Sequence, residues 1–425
     1  GHAIIVSPFH REAAFCGTCH DVSNPAFSRD VSGAFPPNAF DQPAASFHPD
    51  SIMAVERTYS EWLHSSYNTP EGVFSEAFGG NKDFVSTCQD CHMADVTGQA
   101  CNNPAAPVRS DLPHHDMTGG STWIPSLLGA LHPTLVNQAA LDAGIDRARY
   151  MLQNASELSL VSADSILTVR VTNNTGHKLP TGSPEGRRMW LNVQFYDYLD
   201  ALIGESAAYD AATGELTHGP DAKIYEIEPA TDGIPGVPDG TLFHFVLNNT
   251  VLKDNRIPPR GFTNAAFAQF GGPPVAYAYA DSQYWDDTAY TIPEGAVRAE
   301  VSLYYQSASK EFVEFLRDEN TTNTKGQELY DLWAANGKCP PELMESMTVD
   351  LVVADVVGAD VPRARLAQNY PNPYNPQTSI RYVVARDGRV GLRIYDVSGR
   401  LVRTLVDEVQ TASSDWRTAV WDGRG

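Results

Sequence analysis

Positive charge is what this 425-residue chain has least of: 30 Lys and Arg stand against 52 Asp and Glu, a formal net charge of −22 with a pI near 4.8. An exterior of that sign repels phosphate backbones and anionic lipid, so nucleic acid is excluded as a partner. No apolar run is long enough to cross a bilayer, and no transmembrane segment is expected. The sequence also lacks an initiator Met, a basic n-region and an apolar leader, so it reads as starting inside a longer precursor. Its other end stops on turn residues, WDGRG at 421–425, directly after strand-like sequence. No G-x-S-x-G, H-E-x-x-H, G-x-x-x-x-G-K or strand-linked G-x-G-x-x-G is present, which removes the commonest hydrolase, zinc-protease and nucleotide-binding readings.

With 42% hydrophobic and 19% charged residues, 32 Gly and 29 Pro, the chain is folded but loop-rich, and its length allows three domains. The fold class read from the sequence is multidomain: a mostly irregular and helical N-terminal domain, an all-β sandwich in the middle, and a truncated Ig-like β-sandwich at the end. Eight of the 12 histidines lie before residue 116, in the first domain at 1–155: His2, His10, His20, His48, His64, His92, His114 and His115. Helical stretches are expected at 53–67 and 133–154. Periodic apolar sequence is so scarce here that a large flat cofactor is needed to complete the core. In 156–357, alternation at 165–171, 190–195, 242–247 and 300–306 predicts half-buried strands, and 310–317 and 326–335 predict helices. Residues 358–425 open on a Pro- and Asn-rich linker at 366–377. Strands then follow at 379–384, 390–395, 401–406 and 417–421, with a hairpin turn at 396–400.

Chemistry concentrates in two pentapeptides, Cys16-Gly17-Thr18-Cys19-His20 and Cys88-Gln89-Asp90-Cys91-His92. In C-x-x-C-H the two thiols sit on one side of a turn, where they can form thioethers with two vinyl groups of a haem, and the following His reaches the iron. One such motif arises by chance in on the order of a few chains per thousand of this composition, so two copies are specific. The spacing predicts at least two covalently bound haem c groups, with His20 and His92 as proximal ligands. A zinc site or two disulfides would use the four thiols but leave the His after each pair unexplained. Sixth ligands are sought among His115, His10 and His177. Cys101 and Cys339 could pair in an oxidising compartment, or remain free or separately paired.

These residues resemble a family of secreted bacterial multihaem c-type cytochromes. The resemblance is carried by both C-x-x-C-H motifs, by His115-Asp116-Met117-Thr118-Gly119-Gly120 against an H-x-F-x-G-G element, and by Gly176-His177-Lys178-Leu179-Pro180-Thr181-Gly182. It extends through TLFHFVLNN at 241–249, DNRIPPRGF at 254–262 and YYQSASKEFVEFLRD at 304–318, and so over most of residues 1–345. It implies that His115 is a distal haem ligand, with Met117 replacing the usual aromatic residue, and that His177 is another. QNYPNPYNPQTSIRYVV with GLRIYDVSGRLVRTLVD is similar to the C-terminal Ig-like sorting domains of type IX secretion cargo, which implies export through the periplasm to the cell surface or medium.

The function read from all this is extracytoplasmic electron transfer, to other redox proteins or an extracellular acceptor, with self-association or neighbouring cytochromes as further partners. A haem enzyme acting on a small nitrogen or sulfur compound is the alternative, and a non-redox surface-binding protein a third. Three distal candidates for two motifs leave one ligand over, and His10, six residues before Cys16, is the expected surplus, free to serve an iron held by an earlier segment.

Overall fold

The computed structural model describes residues 7–351, 364–370, 376–396 and 399–424. The chain divides into two compact units, Gly1–Val353 and Ala354–Gly425.

The first unit is built around two antiparallel sheets. In one, Arg188–Tyr196 pairs with Arg298–Gln306, which pairs with Glu342–Asp350; Leu202–Ser206 and Lys223–Tyr225 extend the other side. In the other, Ile166–Asn173 lies between Ser156–Ala163 and Trp285–Thr291. Side chains alternate across each strand, and the inward sets interdigitate: Leu167, Val169 and Val171 from one sheet, Leu191, Val193, Val301 and Leu303 from the other, all 0% exposed. The strands expected at 190–195 and 300–306 lie within these elements, and the one expected at 165–171 forms from Ile166 onward.

The expected helical N-terminal domain is not what forms. The protein is mostly β, 34% strand and 19% helix, spread over many small sheets. The segment before residue 114 folds as three two-stranded pairs: Ser23–Ser28 with Ile52–Ala54, Val73–Phe74 with Phe84–Val85, and Asp95–Gln99 with Val108–Pro113. Between them sit helices of one turn or little more, α1 (Ala13–Gly17), α2 (Thr58–Leu63) and α3 (Cys88–His92). Sequence broken by Gly, Pro and Asn every few residues cannot propagate a helix, and short hairpins satisfy its backbone groups locally. The helix expected over 53–67 fails at Arg57. This side chain is 3% exposed, and its guanidinium donates to the carbonyls of Phe270, Val22 and Pro49, fixing a non-helical backbone at the start of α2. Longer helices come later: α4 (Trp123–Leu131) and α5 (Gln138–Asn154), the latter capped by the Asn137 side chain.

Residues 242–247 form a turn and not a strand. Leu247 N–H donates to His244 O at 2.6 Å, and Phe243 has a φ of 65°. Three further helices, α6 (Asn264–Gln269), α7 (Lys310–Glu319) and α8 (Lys325–Ala335), complete this unit.

In the second unit Thr378–Val384 lies between Arg365–Leu366 and Ser413–Trp421, and Gly388–Tyr395 pairs with Leu401–Gln410. Tyr382, Val384 and Ala419 of one sheet share a core with Val390, Leu392, Leu405 and Val406 of the other. Much of the expected linker, and part of the 396–400 turn, lies outside the described residues.

Candidate metal centre

The second motif is α3 itself. Thr87 caps it: its side chain accepts from Asp90 N–H at 3.2 Å while the Asp90 carboxylate accepts from Thr87 N–H at 2.9 Å, a reciprocal cap of about 1 kcal/mol. Burial opposes ionisation of Asp90, but Lys82 Nζ at 2.6 Å and the Ser86 and Thr87 N–H groups outweigh it and hold the carboxyl below its ordinary range. Cys91 packs among Tyr67, Val73, Phe78 and Val85. Burial pushes both Cys88 and Cys91 up to about 12, so the chain holds them as neutral thiols. The last residue of the turn, His92, points Nδ1 at the Thr118 carbonyl, 2.8 Å away.

The first motif closes a tighter turn, with Cys19 and His20 N–H groups both donating to Cys16 O. Only glycine fits at its second position, because a Cβ on Gly17 would lie 2.6 Å from the Tyr59 ring. That close approach seats the turn on α2, and Tyr59 N–H donates to His20 O at 2.8 Å. Glu56 Oε1 stands 3.2 Å from His20 Nδ1. The two motifs touch. Cys16 lies against Cys88 where α1 meets α3, and Gln89 Nε2 donates to the carbonyls of His10 and Glu12, just before α1.

A third histidine completes the arrangement. His177 faces His92 with ring centroids 6.4 Å apart and planes inclined by 21°. Its Nδ1 lies 2.9 Å from Lys178 O. Burial pushes His177 down to about 4 and lowers His92 too, so both imidazoles are neutral, each with Nδ1 against a carbonyl and Nε2 left with its lone pair. That is the tautomer of a metal ligand. Two imidazoles sharing one iron, each at about 2 Å through Nε2, place their centroids on the order of 6 Å apart. The donor set therefore fits a haem iron, which asks the chain for two axial ligands. Among the described residues no group of three or more His, Cys, Asp or Glu converges on one point.

The remaining candidates are dispersed. His10 is exposed beside Phe9 and Phe15, rings 39% exposed that offer an apolar face next to the first motif. His115 is exposed and makes no hydrogen bond among the described residues; its neighbour His114 holds Asp116 at 2.6 Å. Cys101 is exposed and Cys339 is buried with Trp123, Leu127, Val313 and Trp333, both as free thiols, so no disulfide joins them.

Sequence reading did not find the groups that hold His177. Asn173, 1% exposed, donates through Nδ2 to the carbonyls of His177, Ile257 and Pro258. Behind the loop lie four buried charges, Glu61, Lys178, Asp254 and Arg256. Lys178, Asp254 and Arg256 fall inside the stretches 176–182 and 254–262 picked out above, and their clustering was the available signal. Glu61, alone in YSEWL, left none.

No family model matches the chain, and no curated protein matches it. Among solved structures, a penta-heme cytochrome c552 from Thermochromatium tepidum is similar with a TM-score of 0.41 and 17% identity, over 81% of this chain and 57% of that chain. The chain thus spans less than two thirds of that protein, and the likeness is a weak one.

Glu185, in the loop after His177, is 4% exposed, with one oxygen on Asn248 Nδ2 at 2.7 Å and the other buried without a partner among the described residues. Burial raises its pKa to about 7. A carboxyl raised on folding contributes stability that is complete below about pH 4.5 and is lost as pH rises through 7, on the order of 3 kcal/mol in all. Urea midpoints at pH 5 and pH 8 should therefore fall with pH in the parent and stay level in Glu185→Gln. Equal falls in both proteins would remove Glu185 as the cause.

Proposed function

We propose that this chain is an electron-transfer protein carrying at least two covalent haem c groups, one on Cys16 and Cys19 with His20 as proximal ligand, the other on Cys88 and Cys91 with His92. The observation that carries the reading is the contact between the motifs. With Cys16 against Cys88, haems held by the two motifs would be brought close together, as electron exchange between centres needs. A bound haem supplies a reversible one-electron couple, with a lower potential under two imidazoles than under His and Met.

The chain's own residues supply attachment, orientation and exclusion of water. Cys16, Cys19, Cys88 and Cys91 would hold the haems as thioethers, each S–H adding across a vinyl double bond, sulfur to one carbon and hydrogen to the other, with no change in redox equivalents. Thr118 O and Lys178 O orient His92 and His177, which we assign to the same iron; Glu56 orients His20. His115, exposed and uncommitted, is assigned to the iron at His20. His10 is left without one here. Redox proteins or an external acceptor are the partners, and delivery outside the cytoplasm, with the C-terminal unit in a sorting role, belongs to the same proposal. Among the described residues no helix is long and apolar enough to cross a membrane.

The test is the visible spectrum of the full chain produced in a host that attaches haem c. A low-spin spectrum, reduced by dithionite in two overlapping one-electron steps, is expected. A colourless folded protein overturns the proposal.

A further inference from the structure

We propose that Glu61 is the positioning residue for His177 and, as one carboxylate of a charge-balanced buried quartet, holds down the reduction potential of the iron that His177 serves. The inference rests on the haem reading above.

Glu61 lies in α2, on the layer that carries the first motif, and is 0% exposed. Its Oε2 accepts from Lys178 N–H at 3.0 Å and from Thr181 Oγ1 at 2.8 Å, and Oε1 lies 3.3 Å from Arg256 Nη1. Lys178, also 0% exposed, places Nζ 2.6 Å from Asp254 Oδ2, and Arg256 closes on the same carboxylate at 2.9 and 2.7 Å. Two cations and two carboxylates are thus sealed together with a net charge of zero. Taking away one member leaves its partner buried and unbalanced.

The quartet is placed where His177 needs it. The loop 174–182 leaves the β framework at Asn173 and returns through the Leu179–Ile257 bridge, while its outer side rests on α2 and the residues after it. Thr58 Oγ1 meets Thr181 Oγ1 at 2.8 Å, and Tyr67 Oη donates to Asn174 O at 2.7 Å. Of these ties to α2 and its neighbours, the Glu61 contact is the one that is both charged and made to the residue bonded to His177. A ligand pair tolerates only a few tenths of an ångström of drift, so a charged hydrogen bond one residue away sets the imidazole's height.

The electrostatic part follows from the same atoms. Oxidised iron carries one more positive charge than reduced iron, so a buried excess of positive charge beside it favours the reduced form. Glu61→Gln keeps an acceptor for Lys178 N–H but leaves the quartet with that excess.

Three variants of the full-length holoprotein test this, each first checked for two haems per chain. Glu61→Gln should move one of the two midpoint potentials upward and leave the other in place. Glu61→Ala should add a high-spin component at one haem, which added imidazole converts back to low spin. Thr181→Val removes one donor to Glu61 without changing charge, and should give a smaller high-spin component even if Glu61→Ala does not accumulate. Two haems with parental potentials and parental spin states in these variants overturn the role of Glu61. A parent chain that carries no haem overturns the underlying reading instead, and the haem count separates the two.

Discussion

Replacing Cys88 and Cys91 together by alanine should remove one of two covalently held haems and lower stability by on the order of 3 kcal/mol, whereas replacing Cys16 and Cys19 should remove the other at a smaller cost. The asymmetry comes from where each turn sits. Cys91 is packed into the cluster of Tyr67, Val73, Phe78 and Val85, and α3 is locked by the Thr87–Asp90 cap and by Lys82. Deleting sulfur there opens space among side chains that cannot close up. The first turn lies on Tyr59 with Cys19 exposed, so its surroundings relax. Pyridine haemochrome per chain gives the haem count and urea unfolding gives the stability. A Cys88→Ala, Cys91→Ala protein that still bore two haems would falsify the attachment sites.

His177→Ala should convert about half of the low-spin haem signal to high spin, at the iron bound by His92, while leaving the haem count unchanged. The ring lost is the one held 6.4 Å from His92 with its Nδ1 on a carbonyl, and no other histidine among the described residues opposes His92 in this way. His115→Ala, by contrast, should act on the iron at His20. Electron paramagnetic resonance of the oxidised variants distinguishes the two sites. A parental low-spin spectrum in His177→Ala would show that the pairing with His92 is not axial ligation.

The two C-x-x-C-H turns were legible in the sequence because the motif is local, complete within five residues of one turn. The middle strands were legible for a similar reason, since period-two alternation at 165–171 and 190–195 needs only the two faces of one sheet. The N-terminal architecture was not. Short two-stranded pairs are closed by contacts such as Arg57 with Phe270 O, 213 residues apart, and no window of sequence carries them. The expected 53–67 helix failed at that side chain, and the expected 242–247 strand failed where Phe243 takes a left-handed backbone.

By itself the sequence determined that the chain is strongly acidic, that it offers two sets of paired thiols each followed by a histidine, and that His177 and His115 are ligand candidates. Tertiary structure decided which of them meet. It brought Cys16 against Cys88, 72 positions apart, set His177 opposite His92, left His115 and Cys101 on the surface, and buried Glu61 with Lys178, Asp254 and Arg256. The physical reason is that a turn of paired thiols and a histidine needs only neighbours along the chain, whereas facing imidazoles and a balanced set of buried charges need groups from distant segments. Only packing can place those within hydrogen-bonding reach.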